Sequence, residues 1–358
     1  MNSIFDLVTA QALASYYEQL ESNRIPFLGE LLFPADKKQG LKLEWIKGYD
    51  SLPVVLMPSA FDTKPTLRDR GGVSTESTKM PFFREAMRLG EEDRQQLLMF
   101  LEANNNAYAR EIIARIYDDT KSLIDSAMLN PEIMRMGILT NGSFDISAPT
   151  DSGSLASYSY NYDPDNTWKT RNTTTLTGTD AWSDHANSDP LADILEVKRA
   201  AARRGITLTR AIIGYGTWLD IMANEKIKKA LNPLSDVWQS LPVTETQVKN
   251  FVESFTQIKI QVYDKSYRTL DGDDAFFYPT SGQMTLLPNG TLGKTWYGTT
   301  PEEADLMAGN TLASVAVVNT GVAISTEKIA LPVNIINWVS EIVLPSFEQM
   351  DKVFNIKY

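Results

Sequence analysis

The apolar positions along this chain change period several times, and each change predicts an element. In residues 1–23, Ile4, Leu7, Val8, Leu13, Tyr16 and Leu20 fall near helical spacing, which predicts a short helix or a polar-faced arm. Ile25 to Pro34 is strongly apolar but is broken by Pro26, Gly29 and Pro34, so it reads as extended chain rather than a buried helix. From Leu41 the pattern alternates, with Leu41, Leu43 and Trp45 opposite Lys42 and Glu44, and Val54 to Met57 is a second β-prone run. Asp62 to Lys79 is polar, charged and glycine-bearing. A hairpin with so little apolar material cannot build its own core, because an isolated two-stranded ribbon is marginal in water; something else must hold it.

A long helix follows. Glu91, Glu92 and Asp93 suit the positive end of a helix dipole, and Leu97, Leu101, Tyr108, Ile112, Ile116, Leu123 and Ala127 step by four and seven until Asn130-Pro131, the predicted stop. One apolar stripe on so long a rod predicts that it lies across a sheet. Residues 137–188, rich in Ser, Thr, Asn, Asp and Tyr, read as strands with long loops. A second unit of α/β type opens at Asp189-Pro190, an N-cap followed by proline at the first helical position, and its first helix ends at Gly205. Within it, Thr209 to Gly214 is a β-run, Thr217 to Asn224 and Glu225 to Leu231 are helical, Thr244-Glu245-Thr246-Gln247 is a capping box, and Ile258, Ile260 and Val262 alternate as a strand. Short strands at 275–278 and 284–287 precede a second capping box, Thr300-Pro301-Glu302-Glu303. Ser314 to Ser325 reads as one long β-branched run, and Lys352 to Tyr358 as a terminal strand.

Composition narrows the function class. A length of 358 residues predicts two domains, or one large one with insertions, and 43% hydrophobic with 22% charged residues is ordinary globular usage that argues against wholesale disorder. Lys and Arg total 34 against 45 Asp and Glu, a net charge of −11, so bulk charge does not draw the chain to a phosphate backbone. The lack of cysteine excludes disulfides, thiolate zinc sites and cysteine nucleophiles, and a single histidine excludes metal sites built on two or more imidazoles. Met1 to Gln19 has no basic start and no long apolar run, so neither a signal peptide nor a membrane span is expected there.

Candidate chemistry is sparse. His185 beside Asp184 has the parts of an oriented base, but no nucleophile motif accompanies it, and a solvated loop histidine is expected. Asp271-Gly272-Asp273-Asp274 lacks the spacing of a calcium loop and reads as a turn. Gly214-Tyr215-Gly216 lies between strand and helix but lacks the third glycine of a dinucleotide fingerprint. Asn141, Asn172 and Asn289 each open a glycosylation sequon, which means little without a secretory route. Seven Trp and many acidic residues leave a carbohydrate-active enzyme or glycan-binding module as an alternative, although no spacing singles out a carboxylate pair.

An apolar arm, a hairpin that cannot support itself, one very long helix and no catalytic constellation describe a building block whose extensions are satisfied by neighbouring copies. The chain resembles the lambda-type major capsid proteins of tailed bacteriophages, the capsid protein E family. The resemblance lies in the order of Ile25-Pro26-Phe27-Leu28-Gly29-Glu30-Leu31-Leu32-Phe33, Arg68-Asp69-Arg70-Gly71-Gly72, Ile260-Gln261-Val262-Tyr263-Asp264, Phe277-Tyr278-Pro279, Leu286 to Gly293, and Tyr297-Gly298 before an acidic helix start. It implies an α+β, Hong Kong 97-type phage capsid fold. In that fold 1–40 is an N-terminal arm and 41–86 an extended β-hairpin, the E-loop. A peripheral domain with a long spine helix takes 87–188 and 296–345, and an axial domain takes 189–295 and 346–358. The resemblance further implies self-assembly into hexamers and pentamers, forming an icosahedral shell that encloses double-stranded DNA without sequence-specific binding. Scaffolding, portal and decoration proteins would be further partners, with no membrane, cofactor, catalytic or metal site, and the protein would be made in the host cytoplasm and reside in the virion. Arg68, Asp69, Arg70, Glu76 and Lys79 on the hairpin are expected to pair with an adjacent subunit, and Phe27, Leu28, Leu31 and Phe33 to bury apolar area on one. A tube or sheath protein shares this arm-and-loop logic but not the order of motifs.

Overall fold

A computed structural model of the chain describes residues 9–19, 27–47, 74–91, 95, 99, 106–149, 155–233, 243–269, 272–309, 314–330 and 333–358. The chain divides into two units, one of Met1–Glu44, Ser77–Met134 and Gly293–Ser346, the other of Trp45–Glu76, Arg135–Leu292 and Phe347–Tyr358.

The first unit is built on a six-stranded sheet whose centre is the strand Val333–Pro345. Val322–Ala330 pairs antiparallel with it, and Ser314–Val318 continues beyond. On its other side it pairs with Phe82–Leu89, in register from Leu89 opposite Ile335 to Phe82 opposite Ile342, and at its end with Thr295–Tyr297. Ala35–Lys37 then adds in parallel to Thr295–Tyr297. The helix Ala10–Gln19 contributes Ala10, Leu13 and Ala14, and the long helix contributes Leu123, Ile124 and Ala127, to one core with Val318, Val322, Ile324 and Val339 of the sheet. The described end of the helix's apolar stripe, at Leu123, Ile124 and Ala127, therefore lies on a sheet, while Leu97 and Leu101 fall outside the described residues. Each large aliphatic side chain buried this way contributes about 1.5–3 kcal/mol.

Several elements differ from the sequence reading, which did not expect the central strand Val333–Pro345 at all. The long helix does not stop at Asn130-Pro131: it spans Asn106–Asn141, with Pro131 inside it. An interior proline costs about 3 kcal/mol, but the next turns bury Met134, Met136, Ile138 and Leu139 to 2% exposure or less, and that burial outweighs the lost hydrogen bond. The helix ends instead where Gly142 takes φ +66° and its N–H donates to the Ile138 carbonyl at 2.9 Å. The β-branched run from Ser314 is two strands, because Asn319 at φ +51° turns the chain. At that turn a Cβ on Gly321 would stand 2.6 Å from the Cβ of Tyr297. Finally, Leu28–Leu32 is one helical turn within the stretch expected to be extended.

The second unit carries a five-stranded sheet in the order Thr173–Thr175, Phe354–Lys357, Gln283–Pro288, Leu208–Ile213, Lys259–Val262. Its three central strands are antiparallel and its outer pairings parallel. The helices Pro190–Ala202, Tyr215–Ala223, Glu225–Leu231 and Glu245–Thr256 supply Ile194, Val197, Trp218, Ile221, Ile227, Val248 and Val252 to a core with Leu208, Ile213, Met284, Leu286 and Ile356. Both local start signals act as expected: the Asp189 carboxylate accepts the Ala192 N–H at 3.1 Å, and Thr244 and Gln247 form a reciprocal capping box. A separate hairpin, Ser143–Pro149 with Leu155–Asn161, carries the alternating tyrosines and stacks Phe144 on Tyr160.

Candidate assembly surfaces

Two strands, Lys42–Lys47 and Ser74–Lys79, pair with each other in a sheet of their own. Alternation sets their faces: Leu43 and Trp45 are buried, whereas Lys42 and Glu44 lie exposed in an ion pair of 2.7 Å, and that Lys42 hydrogen bond holds the Glu44 carboxyl below its ordinary range. The Trp45 ring lies 5.4 Å from that of Tyr162. The root of this hairpin belongs to the first unit, where the Met80 N–H donates to Leu41 and the Lys38 N–H to Tyr297, each at 2.8 Å. Gly298 fits beneath it, since a Cβ there would meet Ile342 Cγ2 at 2.7 Å, Met80 Cε at 3.0 Å and the Gly40 carbonyl at 3.1 Å.

The segment before the hairpin is pinned at one point and exposed at another. The Gly29 N–H donates to the buried Glu132 carboxylate at 3.0 Å, and Leu32 and Phe33 face inward. Leu31 on the same turn is 70% exposed. Among the four apolar residues expected to meet a neighbour, Phe33 is fully buried within its own chain, Phe27 and Leu28 are half-buried, and Leu31 projects outward. Lys79 is exposed near the hairpin root, Glu76 lies in the strand Ser74–Lys79, and Arg68, Asp69 and Arg70 fall outside the described residues.

Sequence reasoning missed the strand Phe82–Leu89. It pairs with Val333–Pro345 on one side and, among the described residues, with no strand on the other. Residues 84–88 are all exposed, together with Phe82. The available signal was Arg84, Glu85 and Arg88 inside an otherwise apolar run, since charges on a short strand blunt an open sheet edge.

The chemical candidates have structural explanations. His185 Nε2 lies 3.0 Å from Asp220 Oδ1, and the other oxygen of Asp220 accepts the Tyr358 hydroxyl at 2.8 Å. Burial, before any partner, pushes that hydroxyl well above its ordinary value. A Cβ on Gly214 would stand 2.1 Å from the Pro279 carbonyl and one on Gly216 2.9 Å from that of Thr280, so these glycines serve a close backbone approach. Gly272, at φ +89°, turns the hairpin of Ser266–Arg268 and Asp274–Phe276; Asp271 falls outside the described residues. Asn172 is buried and donates to the Asp351 and Val353 carbonyls, so its sequon is occupied by packing. Among the described residues no cluster of acidic, His or Cys side chains is placed to hold a metal, and no helix is long and apolar enough to cross a membrane.

Among the described residues the arrangement is therefore one of extensions rather than of a catalytic pocket. Comparison with known proteins agrees with it. A model of the family described as phage major capsid protein E matches residues 9–320. No curated protein sequence is significantly similar to the chain. A crystal structure assigned to a prophage capsid protein of E. coli CFT073 is similar with a TM-score of 0.58 and 14% identity, over 98% of this chain and 99% of that one. A phage-related protein from Bordetella bronchiseptica RB50 is similar with a TM-score of 0.52 and 13% identity, over 98% of this chain and 96% of that one. The fold is that of the Hong Kong 97-type phage capsid proteins.

Proposed function

This chain belongs to the phage major capsid protein E family, and from that premise we propose how its copies meet in a shell. The protein is a structural virion component that self-assembles into a capsid shell, and it is not an enzyme. Our reading is that the shell is made of hexamers and pentamers and that the hairpin closed by Leu41 and Met80 reaches across to an adjacent subunit; residues 82–86, expected within it, instead pair with Val333–Pro345 in the first unit's own sheet. There Arg68, Asp69, Arg70, Glu76 and Lys79 pair with its polar groups, while Leu31, with Phe27 and Leu28, adds apolar contact. Phe33 leaves this set because its own unit already buries it. Residues 87–188 with 296–345 act as the peripheral domain and 189–295 with 346–358 as the axial domain. Scaffolding, portal and decoration proteins are further partners, synthesis is in the host cytoplasm, and the enclosed double-stranded DNA is not read by sequence. The observation that carries this reading is the pair of strands Lys42–Lys47 and Ser74–Lys79, which among the described residues form a two-stranded sheet of their own, too small to be stable alone.

The test replaces residues 48–73 with a short Gly-Ser linker and compares particle size with the intact chain, by sedimentation velocity and negative-stain microscopy. Shells or capsomer-sized rings from the intact chain that disappear in a folded variant support the reading. Unchanged particles from the variant remove the hairpin from the contact.

A further inference from the structure

Two adjacent carboxylates at the start of the helix Pro301–Ala308 hold the two chain segments that enter and leave the hairpin. The helix begins as its sequence predicts, with Pro301 at the first position and the Thr300 hydroxyl accepting the Glu303 N–H at 3.3 Å. In a capping box the Glu303 carboxylate would turn back to the Thr300 N–H. Here it pairs with the Lys37 ammonium instead, on the strand Ala35–Lys37. Glu302 faces another strand. One of its oxygens pairs with Arg84 and accepts the Trp338 indole N–H at 3.2 Å, and the other accepts the Ser340 hydroxyl at 2.9 Å. Both carboxylates are buried, at 8% and 4% exposure, so their partners are held in defined places.

The positions of the two cations along the chain matter more than the pairs themselves. Lys37 precedes Leu41 by four residues and Arg84 follows Met80 by four, and Leu41 and Met80 are bonded to each other at the hairpin root. A single helical turn thus grips both legs of the hairpin at matching distances from its base. Gly298, just upstream, lets that base settle against the same segment, and the neighbouring pair Lys294–Asp36, at 2.6 Å, adds a further tie to the entering leg. A local rule has been broken at Glu303 in favour of a contact 266 residues away, which is the expected signature of a position under functional constraint.

We propose that Glu302 and Glu303 are positioning residues for assembly: together they clasp the hairpin root and set the direction in which the hairpin leaves its own subunit. This rests on the capsid reading for its consequence, but not for its geometry. Six residues of strand, as in Lys42–Lys47, extend about 20 Å, so a 10° change at the root displaces the far end by about 3 Å, enough to break contacts made at van der Waals distance. The clasp therefore governs reach in addition to the stability that Glu302 lends the first unit.

Four variants test this: Glu302→Gln, Glu303→Gln, the double replacement, and a double control of Arg84→Lys with Lys37→Arg that keeps both charges paired. Hydrogen exchange on unassembled protein reads the clasp directly. The Gln variants are expected to exchange at least ten-fold faster at 42–47 and 74–79, with 322–330 and 208–213 unchanged, and the charge-keeping control to match the natural chain. Particle size then reads the consequence: the Gln variants give malformed or smaller products, and the control gives normal ones. Natural exchange at the hairpin in the double variant, or equal acceleration throughout the first unit's sheet, overturns the proposal. If the natural chain forms no particles the capsid reading fails at that step, while the exchange data still decide the clasp.

Discussion

At Gly298 the absence of a side chain decides how closely the hairpin root approaches the sheet. Gly298→Val would drive methyl groups into Ile342 and the Gly40 backbone, and overpacking of this kind costs about 1–3 kcal/mol. Thermal unfolding should show a lower midpoint together with faster exchange at 38–41, and an unchanged midpoint would mean the root shifts without strain. Glu302 makes the neighbouring case for charge. Burial raises its carboxyl, but hydrogen bonds from the backbone, Ser340 and Trp338 and the nearby Arg84 charge outweigh that and hold it below the ordinary range. A carboxyl lowered on folding contributes stability that is complete above its unfolded value and is lost as pH falls through its folded one. Acidification below about pH 4.5 should therefore weaken the natural first unit, while Glu302→Gln removes its share of that slope. Denaturant titrations at successive pH values measure the difference. His185, Gly214 and Gly216, which the sequence already set aside as chemistry, are each explained by a neighbour across the fold: Asp220 for His185 and the 279–280 backbone for the two glycines.

Elements were legible in proportion to how local their signals are. The helix from Pro190 and the capping box at Thr244 depend on residues at most four positions apart, and both form as read. The persistence of the long helix through Pro131 and the break at Asn319 depend on burial against distant partners, which periodicity does not report. The same limit hid the edge strand Phe82–Leu89, whose charges are visible but whose open side is a matter of strand order. On the turn Leu28–Leu32, the exposed Leu31 gives a clean test of assembly against folding. Leu31→Ser should leave the unfolding free energy within about 0.5 kcal/mol of the natural value, as surface replacements do, and raise the concentration needed for assembly. A large stability loss would place Leu31 in the core instead.

For the whole molecule, charge is the property that scales with the number of copies. Each chain carries −11, so copies brought together repel, and the repulsion between exposed charges is screened within about 10 Å at 0.1 M ionic strength. Assembly of purified protein should therefore begin at lower concentration as salt rises from about 0.05 to 0.5 M, followed by light scattering. A reversed dependence would mean that ion pairs between subunits, rather than apolar contacts, dominate the interface. Individual exposed pairs are worth only about 0.2–1 kcal/mol, so under the proposed assembly the charged hairpin residues would act through repetition around the shell.

The amino-acid sequence by itself determined the materials of this protein: segments of helical and of strand period, no thiol and one imidazole, a long helix made for a sheet, and a hairpin too polar to stand alone. Those properties follow from composition and short-range spacing, which any conformation of the chain retains. Only the tertiary structure decided that Phe33 turns inward while Leu31 turns out, that Pro131 stays helical, and that Glu303 leaves its capping partner for Lys37. Each of those outcomes compares a local preference of about 1–3 kcal/mol with burial or pairing against residues far along the chain, and that comparison exists only once the distant residues have been brought together.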